Sequence, residues 1–135
     1  MNKLEQEHKI DLVKIAGEVR KWAYVPYSNY AVGAAVLTDS GRIYDGVNIE
    51  NAAYPVTVCG ERTAIFKAVS NGERKFKAIA VVTRDGGMPC GSCRQVMAEF
   101  SPDMLVILAD ESGNIKTEKI LSDLLPGAFG AGSLK

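Results

Sequence analysis

A chain of 135 residues, 47% of them hydrophobic, has enough material for one core, and a single domain is expected over residues 1–135. Its 16 basic and 16 acidic residues cancel, and no stretch gathers Lys or Arg into a stripe, so no nucleic-acid polymer is expected as a partner. The first twenty residues interleave charges with apolar positions, unlike a signal peptide, and no run is apolar enough to cross a bilayer. The expected location is the cytoplasm, without membrane contact. Three cysteines cannot form a closed disulfide set, and a reducing compartment favours metal binding or catalysis for them.

Between Lys3 and Tyr24, apolar residues recur at roughly helical spacing, which predicts a first helix capped by Asn2 and ended by Pro26. His8, the only histidine, lies among charged neighbours and is expected at the surface, not on a metal. Tyr30 to Leu37 and Arg42 to Asn48 are β-prone and flank Thr38-Asp39-Ser40-Gly41, so a hairpin is predicted. An irregular stretch, 49–58, follows. Glu61 to Ser70 reads as a helix stopped by Asn71-Gly72, and Ala78 to Thr83 as a short apolar strand. The chain breaks at Asp85-Gly86-Gly87-Met88-Pro89 and resumes as a helix from Gly91 to Phe100. A buried strand is predicted from Met104 to Ala109, and a last one starts at Ile115 after the Ser112-Gly113-Asn114 turn. Strands alternating with helices in the second half imply right-handed crossovers and parallel pairing, whereas the opening hairpin is antiparallel. The expected class is α/β, with a mixed sheet between helices on both faces.

Two short segments carry the chemistry: Cys59-Gly60-Glu61 and Pro89-Cys90-Gly91-Ser92-Cys93. Each opens a predicted helix, where free N–H groups and the positive end of the dipole stabilise thiolates. Cys90 and Cys93 are one helical turn apart, which brings both sulfurs to one place. A structural zinc site needs four protein ligands and a catalytic one needs three, with water in the fourth position at a pKa lowered toward about 7. Three thiolates work against that acidification, and Arg62 and Arg94 are placed to offset their charge by hydrogen bonding to sulfur. Glu61, two residues beyond a ligand, can move protons without binding metal. A His or Cys followed by x-Glu, then Pro-Cys-x-x-Cys, is the zinc deaminase pattern. Alone, a Cys-x-x-Cys is often a redox pair or half of a structural zinc site.

With these motifs in place the chain resembles the small homotetrameric cytidine deaminases. The resemblance runs through Pro26-Tyr27-Ser28-Asn29-Tyr30, Val32-Gly33-Ala34-Ala35, the stretch from Gly46 to Tyr54, Glu61-Arg62-Thr63-Ala64, Cys93-Arg94-Gln95-Val96 and Leu124-Leu125-Pro126-Gly127-Ala128-Phe129. It implies a three-layer α-β-α sandwich with a five-stranded mixed sheet and one Zn²⁺ per subunit. It also implies a nucleoside substrate, hydrolysed from cytidine or deoxycytidine to uridine or deoxyuridine and ammonia in pyrimidine salvage. By the same resemblance Asn48 and Glu50 bind the sugar hydroxyls, Tyr30 packs near the nucleoside, and the main chain at Gly60 reads the pyrimidine. Phe129 enters a neighbouring subunit's site, and Tyr54 approaches the sugar. The plainer alternatives are that Asn48 satisfies a turn and that Tyr30 and Phe129 pack in the core.

Gly60 stands where the family usually has Ala, which raises the expectation of a wider pocket near the exocyclic amine and of tolerance for N4-substituted cytidines. Blasticidin-S deaminase shares the zinc motifs and is the nearest enzyme alternative. Deoxycytidylate and tRNA adenosine deaminases fit less well, since their zinc motif typically opens with His. From another class, a noncatalytic structural zinc module would leave both an open ligand position and Glu61 unexplained.

Overall fold

The fold was obtained as a computed structural model that describes residues 4–134. Its elements in chain order are α1 (Gln6–Val19), β1 (Gly33–Thr38), β2 (Ile43–Val47), α2 (Gly60–Ser70), β3 (Phe76–Val82), α3 (Gly91–Phe100), β4 (Leu105–Ala109), β5 (Ile115–Ile120) and α4 (Leu121–Leu124). The strands form one sheet in the order β2-β1-β3-β4-β5. Only β3 and β4, the pair joined through α3, run parallel; β1 is antiparallel to β2 and to β3, and β5 is antiparallel to β4. The mixed five-stranded sheet expected from the sequence is therefore observed.

Apolar runs make the central strands competent for burial on both faces. Along β1, Ala34 and Val36 point to the side of α2 and α3, while Ala35 and Leu37 point to that of α1. The same alternation sends Ile79, Val81, Val106 and Leu108 one way, and Ala78, Ala80, Ile107 and Ala109 the other. The α1 face is rich in Ala, so Leu12, Val13 and Ala16 of α1 settle close to the strands. The approach is tightest at Gly33, where a Cβ would fall 2.0 Å from the Ala16 carbonyl oxygen. On the opposite face Ala64, Ile65 and Ala68 of α2 and Cys93 and Met97 of α3 complete the core. A β2 glycine serves α2 in the same way: a Cβ at Gly46 would lie 2.4 Å from the Ala64 amide nitrogen.

The boundaries differ from expectation where tertiary pairing intervenes. Helix α1 ends at Val19 and passes through a 3₁₀ turn at Arg20–Trp22, well before Pro26. Tyr24 has been drawn into pairing with Ile49, its N–H donating to the Asn48 carbonyl at 3.0 Å. The expected cap, Asn2, lies outside the described residues. Strand β5 runs on to Ile120 and is followed directly by α4, which the sequence pattern did not reveal. Four residues are too few to show a helical period. The stop at Asn71-Gly72 is as expected, with Gly72 at φ +92° and its N–H donating to Val69. Among the described residues no helix is long and apolar enough to cross a membrane.

Candidate active site

Helices α2 and α3 begin side by side on the same face of the sheet, and each begins on a cysteine. Cys59 and Cys90 are the N-caps, with extended backbones at φ −75° and −68°, and their carbonyls accept the first helical bonds from Thr63 and Arg94. Cys93 lies in the first turn of α3 and is fully buried. The sulfurs of Cys59, Cys90 and Cys93 lie within 4.8 Å of one another, 3.7 Å apart for Cys59 and Cys90 and 3.3 Å for Cys90 and Cys93. Tetrahedral zinc with Zn–S bonds of about 2.3 Å sets sulfurs about 3.8 Å apart, so the set fits zinc after a small opening at Cys90 and Cys93. Spacings of this size are far beyond a disulfide bond.

The surroundings favour a thiolate at Cys59. Arg62 donates to the Cys59 sulfur at 3.3 Å and reaches the Thr57 carbonyl at 3.5 Å, while its buried Nε has no partner among the described residues. The nearby Cys93 thiol, with further help from Arg62, lowers the Cys59 pKa, whereas that of Cys93 is raised by the neighbouring Cys59 and by burial. Arg94 does not share this task. Its Nε donates to the Pro89 carbonyl at 2.9 Å and its terminal nitrogen to the Leu124 carbonyl at 2.8 Å. The expected sulfur contact is thus replaced by a tie between the start of α3 and α4. Carbonyls left by Pro89 and by the end of α4 are strong acceptors for a guanidinium, and sequence adjacency to Cys93 does not make it the nearest acceptor.

Glu61, the second residue of α2, is 4% exposed. Burial first, and the neighbouring Cys59 charge second, push its pKa up, a direction that suits a group exchanging protons near neutrality. It is not part of the three-sulfur ligand group. Gly60, just before it, is buried, and a Cβ there would meet Val32 Cγ1 and O at 3.1 Å and the Asn48 amide at 3.4 Å. The space left by the missing methyl is therefore filled by Val32 and backbone, which does not support the expected widening of a pocket near the exocyclic amine.

The segment from Asn48 to Glu50 is stitched between two others: Glu50 N–H donates to the Tyr24 carbonyl, and Ile49 exchanges both backbone bonds with Val58, the residue before Cys59. The buried Asn48 side chain accepts from Val32 N–H at 2.9 Å and donates to the Tyr30 carbonyl at 2.8 Å. It thereby ties the end of β2 to the backbone of the segment 30–32, which precedes β1, and not to a turn of its own. Glu50 accepts from the Tyr27 and Ser28 amides at 3.0 and 3.1 Å and from the Ser28 hydroxyl. The Ser28 hydroxyl leads in holding its carboxyl below the usual range, with the Tyr27 and Ser28 amides adding to it.

Glu50 lines an open cleft of about 390 Å³ with Tyr27, Ser28, Tyr54 and Thr57. The Tyr27 and Tyr54 rings meet edge to face there at 5.9 Å. Tyr30 is half-buried outside the core, its hydroxyl donating to Asp85 at 2.6 Å, and Phe129 is 59% exposed near the end of α3, where Gln95 donates to its carbonyl. Neither is a core aromatic. His8 is exposed, as expected. Ser28 and Asp85 received no role from sequence reasoning; both act through folding partners distant in the chain, and turn-prone composition was their only signal.

The family model for the cytidine and deoxycytidylate deaminase zinc-binding region matches residues 6–109. The chain is 53% identical over 126 residues to a cytidine deaminase of Sporosarcina psychrophila, covering 89% of this chain and 92% of that one. A blasticidin-S deaminase of Bacillus cereus is 32% identical over 130 residues, 89% of this chain and 91% of its own. The crystal structure of cytidine deaminase from Burkholderia pseudomallei superimposes with a TM-score of 0.85 at 42% identity, covering 93% of this chain and all of that one. Three sulfurs set for zinc, a buried glutamate beside them and likeness along most of the chain converge: the protein belongs to the cytidine and deoxycytidylate deaminase family.

Proposed function

We propose that this protein hydrolyses cytidine, and deoxycytidine as well, to the corresponding uridine and ammonia, in the cytoplasm, where thiols stay reduced. The observation that carries the reading is the convergence of Cys59, Cys90 and Cys93 beside the buried Glu61, with no fourth protein ligand in that cluster among the described residues. Bound at those sulfurs, zinc supplies the Lewis acidity that makes water nucleophilic at neutral pH. Arg62 steadies the thiolates. Glu61 accepts one proton of the attacking water and delivers it to N3 of the ring, then takes the second from the hydroxyl now on C4 and passes it to the departing amine. Gly60 brings its main chain against the pyrimidine.

On the sugar side, Glu50 is held by three donors that leave its carboxylate oriented toward the cleft, ready to accept from a ribose hydroxyl. Asn48 offers its second amide hydrogen there, with Tyr30 beside the nucleoside and Tyr54 near the ribose. Exposed Trp22, Tyr24, Ile49, Tyr54 and Val56 support assembly into a homotetramer, with Phe129 reaching a neighbour's site. Light scattering tests the assembly.

An absorbance assay with cytidine, deoxycytidine, cytosine, deoxycytidylate and blasticidin S tests the activity. Loss of the cytosine chromophore with the two nucleosides is expected. Turnover of blasticidin S alone would move the protein to that branch, and no turnover of any would sink the enzyme reading.

A further inference from the structure

Tyr30 is the point where the two halves of the site meet. Its N–H donates to Ser28 Oγ at 3.0 Å, and that hydroxyl in turn donates to Glu50. Its carbonyl accepts from Asn48, and its own hydroxyl donates to Asp85 Oδ1 at 2.6 Å. Asp85 lies in the loop that leads to Cys90. That loop is closed by Thr83, whose hydroxyl accepts from the Gly86 and Gly87 amides at 2.8 and 3.0 Å. Gly87 presses against the tyrosine so closely that a Cβ there would lie 3.1 Å from the Tyr30 hydroxyl. The Arg84 guanidinium stands 5.4 Å from the centre of the Tyr30 ring.

We propose that Asp85 is a positioning residue for this site: by holding the Tyr30 hydroxyl it keeps the segment that orients Asn48 and Glu50 in register with the loop that carries Cys90. This short, charge-assisted bond ties Tyr30 to that loop across 55 residues of chain. Without it, the segment bearing Asn48 and Glu50 keeps its pairing with Val58 beside Cys59 but loses its tie to the loop of Cys90, and the sugar and the reacting ring are presented together less well. The zinc ligands themselves keep their helix-cap positions.

The inference rests on the cytidine deaminase reading and is tested with the zinc-loaded protein. For Asp85→Ala the KM for cytidine is expected to rise about fivefold, with kcat, zinc per chain and melting temperature near those of the parent. The rise should shrink for 2′,3′-dideoxycytidine, which lacks the 2′- and 3′-hydroxyls that Asn48 and Glu50 would bind. Asp85→Asn retains an acceptor oxygen and should restore the parent KM. Should Asp85→Ala fold poorly, Tyr30→Phe removes the hydroxyl alone and should show the same split between the two nucleosides. An unchanged KM in both variants, or an equal rise for both nucleosides, would overturn the inference while leaving the deaminase reading intact. Inactivity of the parent protein toward cytidine would instead overturn that reading, and this inference with it.

Discussion

The metal corner and the open cleft lined by Glu50 are neighbours built to different standards of enclosure. At the corner, Cys93 and Glu61 are buried and two helix starts hold the ligands against the sheet. The cleft is assembled from the loops 24–30 and 48–57, and its Tyr27 and Tyr54 are 49% and 69% exposed. The corner draws three cysteines together from one chain, whereas the cleft displays exposed aromatic surface. Chemistry that tolerates no misplacement is built on packed helices, and recognition is more often built on loops.

The sharpest way to break this contrast is to remove a ligand. Cys90→Ala should lose zinc, measured as metal per chain after dialysis, and activity with it. Full zinc content in that variant would show that Cys90 is not a ligand. Next in size, Glu61→Gln should keep zinc but lower kcat by roughly 10²–10⁴, because an amide hydrogen-bonds yet cannot cycle a proton. Near-parental turnover would remove Glu61 from the reaction.

On the cleft side, Glu50→Ala should lower kcat/KM for cytidine by roughly tenfold to a hundredfold, mostly through KM, with zinc retained. Its hydrogen bonds hold Glu50 below the ordinary 4.5, so the carboxylate stays ionised above that value, and what it contributes to binding fades only as pH falls through its lower native value. KM should accordingly stay flat from neutral pH down to 4.5. A rise in KM already between pH 6 and 5, roughly, would mean that Glu50 is not the group holding the sugar. The smallest effect is expected at the border of the two regions. Gly60→Ala crowds Val32 and the Asn48 amide, and should change stability by no more than about 1 kcal/mol, read by urea unfolding, because slight overpacking is opposed by better helix propensity. Preference between cytidine and N4-methylcytidine should be unchanged, and selective loss of the methylated substrate would show that the absent methyl does shape the pocket.

The corner was legible in the sequence because its parts are local. Cys59 and Glu61 share one helix start, Cys90 and Cys93 another, and helix caps and one-turn spacing are properties of short segments. The central strands were legible for a similar reason, since runs such as 78–82 and 105–109 are apolar without interruption. What escaped depends on contacts between distant segments. The early end of α1 comes from the pairing of Tyr24 with Ile49, and the diversion of Arg94 from sulfur comes from the Leu124 carbonyl, thirty residues on. The bond from Tyr30 to Asp85 is of the same kind. No periodicity encodes such pairs.

Gly46 carries a consequence for how this sequence can drift. It touches neither metal nor cleft, yet any side chain there would collide with the Thr63 and Ala64 backbone, its Cβ falling 2.9 Å from the Thr63 carbonyl carbon and 2.4 Å from the Ala64 nitrogen. Helix α2 would have to back away from the sheet, and Cys59 and Glu61 ride on its first turn. A position remote from the three sulfurs thus sets the depth at which the buried Glu61 stands, and substitutions there would be selected against as if they fell within that corner itself.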